Sequence, residues 1–309
     1  MTFEIIALLS AFALVALWYI ARWIIIERQR RRADPSAPSW RPRPIDGAIG
    51  FVTNFFDTLG IGSFAPTTAI FKLLRRMPDE RIPGTLNAGH ALPTVAQALI
   101  FVAVVTVDVV TLISMILAAV LGALLGVRIV SRLPRRAIQI GMGGALLGAA
   151  VLFLAANLDL MPGGGEATGL TGGTLVFAVA VNFILGALMM LGLGLYAPCL
   201  ILVSLLGMNP LAGFPVMMGS CALLMPFGGE RFVKSGRYDA GAALGLALGG
   251  IPGVLIAAFI VKSLPIVWLR WLVLVVVLYA AAQMLLAARA PSAAESKPLN
   301  NGAPAGNRP

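Results

Sequence analysis

The sequence predicts an all-α integral membrane protein with about seven to nine transmembrane helices, arranged as two homologous, inverted repeats. Three observations lead there. Hydrophobic residues fill 59% of the 309 positions and charged residues only 12%, about half the charge of an ordinary soluble domain. Apolar stretches longer than the roughly 18 residues that a membrane helix needs recur along the chain. The pattern LGIGSFAP at 59–66 also returns as LGLGLYAP at 191–198, an offset of 132 residues.

Residues 1–27 read as an N-terminal anchor. The segment lacks a basic start, and its charge follows the apolar run at Arg28, Arg30, Arg31 and Arg32. That order fits a signal anchor with its N-terminus outside. Trp18, Tyr19 and Trp23 near its end are expected at the interface. Residues 28–44, rich in Arg and Pro, read as a basic cytoplasmic linker. Repeat 1 spans 45–156: an apolar block interrupted at Gly60, Gly62 and Pro66, then spans near 85–103, 110–131 and 135–156. Residues 157–173 form a Gly-rich, slightly acidic external loop, and repeat 2 spans 174–287 with the same plan. The tail, 288–309, is polar and Pro-rich and is expected to be disordered.

Two further matches support the duplication. Asp108 and Asp239, each opening a helix as its cap, lie 131 residues apart, and IVSRLP at 129–134 returns as IVKSLP at 260–265. Charge counting then favours breaks that re-enter the membrane over complete crossings. Only re-entry places the linker and the Lys72–Arg81, 128–136 and 229–239 loops together on the cytoplasmic side. Re-entry gives three crossings per repeat, and an odd number inverts one half relative to the other.

The net charge of +10 could indicate a nucleic-acid binder, but its arginines and lysines cluster in short loops between apolar runs, as in membrane proteins. Cys199 and Cys221 both lie in apolar segments, which offers neither a disulfide framework nor a zinc spacing. With His90 as the one histidine, and no HExxH, CxxC or Walker pattern, no metal, cofactor or ATP motor is expected. No nucleophile–base pair is visible, so the chain is not read as an enzyme.

Each half thus has a Gly-rich break before Pro, a helix with small polar residues, a turn ending in Asp, and a Gly-rich helix closing at Leu-Pro. That order resembles the sulfite exporter TauE/SafE family, also called the toluene sulfonate uptake permease family, from Ile45 to about Leu286. The resemblance implies a multi-pass bacterial inner-membrane carrier, often for sulfur-containing or organic anions. Where the family usually has further glycines in its breaks, this chain has Ser63 and Phe64, then Leu195 and Tyr196. The departure bears on the substrate.

A broken helix exposes unpaired amides at the start of its second half, and these carry partial positive charge. Helix starts near Pro66 and Pro198 would form a paired anion cradle, with Gly60, Gly62, Gly192 and Gly194 admitting ligand close to the backbone. The competing reading is that Gly and Pro only permit close helix packing. Ser63, Thr67, Tyr196, Cys199 and Ser220 border the same cradle, and Asn54, Asn87, Asn182, Gln97 and Thr68 are further neutral donors. The two thiols read more simply as soft apolar side chains. Asp57, just before the first break, could accept a coupling proton or, on a short half-helix, merely reach interfacial water. His90 could bind the anion or shuttle a proton, or be satisfied by a neighbouring helix.

The resulting expectation is a secondary permease for a small anion, such as sulfite or a sulfonate, working by alternating access. The alternatives are a cation or cation-coupled carrier, and a non-transporting membrane partner. Expected partners are the anion and the lipid bilayer, with a homodimer left open.

Overall fold

The computed structural model describes residues 2–34, 40–126, 135–158, 165–189, 195–263 and 265–289. They form α1 (Phe3–Ala33), α2 (Pro44–Thr58), α3 (Phe64–Leu73), α4 (Ile82–Val104), α5 (Val109–Leu121), α6 (Arg135–Asn157), α7 (Gly172–Met189), α8 (Tyr196–Leu205), α9 (Gly213–Ser235), α10 (Ala240–Ser263) and α11 (Ile266–Arg289). A π-helical turn, Gly122–Gly126, continues α5. No strand occurs among the described residues, and six helices are long and apolar enough to cross a membrane: α1, α4, α7, α9, α10 and α11. The protein is an all-α integral membrane protein.

Helix boundaries recur at the offset read from the sequence. α3 and α8 begin and end 132 residues apart, and α4 and α9 begin and end 131 apart. The match extends to single hydrogen bonds. After α3 the chain turns at Arg75 (φ 46°) and closes with the Arg76 amide on the Phe71 carbonyl at 2.9 Å. After α8 it turns at Gly207 (φ 92°) and closes with the Met208 amide on the Val203 carbonyl at 3.0 Å. Both are left-handed helix stops that satisfy otherwise orphaned carbonyls.

Each broken block is a hairpin. Asp46, in the first turn of α2, accepts two hydrogen bonds from Arg76, which follows α3, at 2.8 and 2.7 Å. The chain therefore returns to the end of the bundle from which it entered. In the second block Ala167, before α7, pairs with Met208, after α8, and the Asn209 amide donates to the Ala167 carbonyl at 2.8 Å. The hairpins open at opposite ends. The first shares its end with the α9–α10 turn, since the Asp239 amide donates to Thr85 at the start of α4. The second shares its end with the α4–α5 turn, since the Asp108 amide donates to the Thr168 carbonyl. Hence α4 and α9 run in opposite senses, and the halves are inverted.

Packing interlocks the halves. α2 lies along α10 and α5 along α7, while α4 packs on α9 and α6 on α11. The two crossings of the first kind use matching positions. A Cβ on Gly253 would meet the Phe51 carbonyl oxygen at 2.4 Å, and one on Gly122 would meet that of Phe183 at 1.8 Å. Backbone touches backbone there, as small residues allow within a membrane. Asp108 and Asp239 cap their helices, accepting from the Thr111 and Ala242 amides at 2.8 Å each.

The first helix is more than an anchor. α1 packs on α4 and α9 and buries Phe12, Tyr19, Trp23 and Glu27. Of the three aromatics expected at the interface only Trp18 is exposed, because Tyr19 donates to the Ala88 carbonyl at 3.0 Å and Trp23 to the Tyr238 hydroxyl at 2.9 Å. Tyr238 in turn donates to Glu27 at 2.5 Å, and Glu27 also accepts from Arg30 at 2.5 Å. Burial first, and then this bond, hold the Tyr238 hydroxyl above the ordinary tyrosine range. Residues 28–33, expected in the linker, are the last turns of α1, their charges placed favourably at a helix C-terminus. Of the expected tail, Ala288 and Arg289 belong to α11, and 290–309 lie outside the described residues.

Candidate functional site

The tip of the first hairpin meets the start of α8, where Gln97 joins Asp57 to Tyr196. The first tip turns at Gly60 (φ 97°) and Gly62 (φ 87°), conformations that residues with a Cβ seldom adopt. Gly60 lies near Leu200 of α8, Met217 of α9 and Val276 of α11, while Gly62 faces open space. Gly192 and Gly194, their expected counterparts, lie outside the described residues, as does Arg128. The described chain resumes at Leu195, just before α8, while Ser63 stands just before α3; neither helix start has a side-chain cap. The first-turn amides of both helices therefore lack intrahelical acceptors.

Around this junction lies a buried polar cluster. Asn54, Thr58, Thr67, His90 and Gln97 are 0% exposed, Asp57 is 3% and Tyr196 is 7%. Unpaired polar groups at such burial would be costly. They are joined instead. Gln97 of α4 donates through Nε2 to Asp57 at 2.8 Å and to the Thr58 hydroxyl at 2.9 Å. Its Oε1 accepts from the Tyr196 hydroxyl at 2.8 Å. One glutamine thus ties the carboxylate of the first hairpin to the first residue of α8.

A second strand of the cluster runs through His90. Its Nδ1 lies 3.1 Å from Asn54 Oδ1, and its Nε2 lies 3.1 Å from the Thr67 hydroxyl. Asn54 spends its own amide on the Gly50 carbonyl at 2.7 Å, so its oxygen is the acceptor and Nδ1 carries the proton. Thr67 also reaches the Ser63 carbonyl at 2.7 Å, at the start of α3. With one hydroxyl proton, Thr67 gives it either to that carbonyl or to His90. Phe64 covers the ring, its centroid 6.0 Å from that of His90.

Asn54 fits because Gly250 of α10 has no side chain: a Cβ there would come within 2.5 Å of Asn54 Nδ2 and of Pro93 Cγ. At the matching place in the other half, Gly186 faces Ala119. The halves are alike in frame and unlike in chemistry.

The structure brings Asp57, Ser63, Thr67, His90 and Tyr196 together with Gly60 and Gly62. Pro66 is partly exposed in the first turn of α3, and Pro198 likewise in that of α8. Ser220 stands apart, donating to the Val216 carbonyl at 2.7 Å, with Asn182 at 3.5 Å. Cys199 packs in the apolar core, and Cys221 contacts the Met189 sulfur at 3.4 Å. Among the neutral donors, Asn87 turns back to the Pro83 carbonyl, away from the cluster.

Two contributors went unread in the sequence. Gly250 sits in a helix full of small residues, and nothing local distinguishes it. Arg76, read as a topology charge, closes one end of the bundle on the fully buried Asp46 and reaches Asp239 at 4.0 Å. Hydrogen bonding to Asp46 is the first cause holding its guanidinium above the usual arginine range, and desolvation opposes it. At the matching position after α8 stands the buried, apolar Met208.

Residues 3–153, from α1 into α6, match the family model described as Sulfite exporter TauE/SafE. No curated protein and no solved structure matches the chain. The match covers the first hairpin and α4, which supply Asp57, Thr67, His90 and Gln97, and it names the family that the sequence motifs resembled. Over residues 3–153 the chain is thus similar to the Sulfite exporter TauE/SafE family.

Proposed function

We propose that this protein is a secondary carrier for a small anion, with a sulfur oxyanion or organosulfonate as cargo and a proton as coupling ion. The observation that carries the reading is the buried polar cluster that joins the tip of the first hairpin to the start of α8, between inverted halves, in a chain whose residues 3–153 match a sulfite exporter family. Inverted repeats meeting at broken helices near the midplane are the usual plan of secondary transporters. The first-turn amides of α3 and α8, with His90 and Thr67, are the donors for the anion. Asp57, linked through Gln97 to Tyr196, is the proton acceptor, since an intramembrane carboxylate is costly unless it works. Because the cluster is shut from solvent, the conformation described is occluded. The end carrying Arg30, Arg76 and Lys234 is assigned to the cytoplasm by the positive-inside rule.

The test is uptake and counterflow of labelled sulfite, a short sulfonate, sulfate and chloride in proteoliposomes, with and without a pH gradient. The reading requires saturable exchange of a sulfur anion that the gradient drives. Asp57→Asn should keep exchange and lose the response to the gradient. Exchange of none of these anions by the wild type would refute the anion carrier. Loss of substrate binding itself in Asp57→Asn would favour the cation carrier.

A further inference from the structure

A second site lies on the outside of the bundle, away from the first hairpin tip. We propose that the crevice between α1, α9 and the π-helical end of α5 holds one anionic phospholipid, its phosphate on Arg231 and Lys234 and its acyl chains along the exposed apolar rim. The assignment does not depend on the cargo.

The crevice is a cavity of about 460 Å³ whose walls include Trp18 and Arg22 of α1, Leu124 of the π-turn, and Phe227, Arg231 and Lys234 of α9. It adjoins a narrow cleft of about 20 Å³ between Val120, Ala123 and Leu224, and the two share Leu124, Phe227 and Arg231. The larger space carries the charge at Arg22, Arg231 and Lys234, and Trp18, Leu124 and Phe227 border it with apolar surface, the division of a phospholipid.

Charge in the crevice is unbalanced. Glu230 is its one carboxylate, and it is already taken by Arg22 at 3.0 Å and Lys234 at 2.7 Å. Arg231 is exposed and has no hydrogen bond or ion pair among the described residues. Three cations against one carboxylate leave an excess of two positive charges. A guanidinium with free donors suits a phosphate, which it can grip through two parallel bonds.

The surroundings select a lipid over a dissolved anion. Leu121, Leu124, Phe227 and Trp18 are 48%, 50%, 41% and 37% exposed around the crevice, so its rim faces hydrocarbon in a membrane. Trp18 rests on Phe227, with ring centroids 5.0 Å apart, and marks the headgroup level where tryptophan concentrates. The crevice lies at the basic end of the bundle, where Arg30 donates to the Val233 carbonyl next to Lys234. Basic pockets between helices at such an end recognise anionic headgroups. Helix packing around the crevice is itself irregular: the π-turn at Gly122–Gly126 bends the backbone where Leu124 and Arg231 meet.

The test is native mass spectrometry of the full-length protein, delipidated in detergent and then offered equimolar phosphatidylglycerol and phosphatidylcholine. One phosphatidylglycerol should be retained in preference to phosphatidylcholine. Each basic side chain is worth about fivefold at a membrane surface, so the Arg231→Ala/Lys234→Ala double variant should bind it about thirtyfold more weakly. Arg231→Lys, which keeps the charge, should retain most of the affinity. Should the double variant fold poorly, the wild-type preference and the Arg231→Ala single variant decide. Equal retention of the two lipids, or unchanged affinity in the alanine variants, would overturn the site. Displacement of the lipid by inorganic phosphate at matched concentration would overturn the lipid assignment and make this a soluble-anion site.

Discussion

Replacing Gly250 with alanine tests the polar cluster without replacing any group that hydrogen-bonds in it. The added Cβ would lie 2.5 Å from Asn54 Nδ2, 2.5 Å from Pro93 Cγ and 2.9 Å from Asn54 Cγ. Restoring ordinary contact at about 3.4 Å needs a shift of about 0.9 Å. Pro93 belongs to the body of α4 and cannot swing away, so Asn54 must move. Its oxygen now sits 3.1 Å from His90 Nδ1, and such a shift takes it beyond hydrogen-bond range. A buried donor without a partner costs about 1–3 kcal/mol, and overpacking adds about 1–3 kcal/mol. Gly250→Ala should therefore destabilise the protein by roughly 2–5 kcal/mol.

The natural control is the other half, where Ala119 stands opposite Gly186 without conflict. Asn54→Gly combined with Gly250→Ala reproduces that pair. The two changes should couple: alanine costs less once Asn54 has gone, with a residue from Pro93. A double-mutant cycle in detergent, followed by thermal unfolding, measures this, and groups in direct contact typically couple by about 0.5–3 kcal/mol. A Gly250→Ala variant as stable as the wild type, or strictly additive effects, would refute the described contact between α2 and α10.

Arg76→Met leaves Asp46 buried and unpaired, and should cost about 3–5 kcal/mol, seen as a large fall in Tm. The Arg76 guanidinium is held above its ordinary range, so its contribution is complete at lower pH and is lost only in strong alkali. The Tm gap between wild type and variant should therefore stay constant from about pH 7 to pH 9. Gln97→Leu removes the partner that Asp57 and Tyr196 share and should lower stability by about 2–4 kcal/mol, whereas Tyr196→Phe removes one bond and should cost about 1 kcal/mol; thermal melts of both variants check the order. Tyr238→Phe separates Trp23 from Glu27 and should loosen α1, read as faster amide exchange in Tyr19–Glu27 with α10 unchanged.

Much of this molecule is written in local sequence. Membrane residence follows from apolar length, because a helix must cover its own amides in hydrocarbon. The break at 59–66 follows from Gly60 and Gly62, which readily take the positive φ angles that separate α2 from α3. The duplication is legible because repetition is itself a property of sequence, and Asp108 and Asp239 cap their helices because capping acts within one turn. What only the tertiary structure decided involves partners distant in the chain. The pairing of Tyr196 with Asp57 through Gln97 joins three segments, and no motif announces it. Gly250 matters because Asn54 lies opposite, and Arg76 because Asp46 and Asp239 converge on it. Tyr19 and Trp23 looked like interfacial aromatics because their character suits that place, but they point inward to partners on α4 and after α9. Which way a helix turns its face in lipid is set by the neighbours that can satisfy its polar atoms, and those neighbours are chosen by the fold.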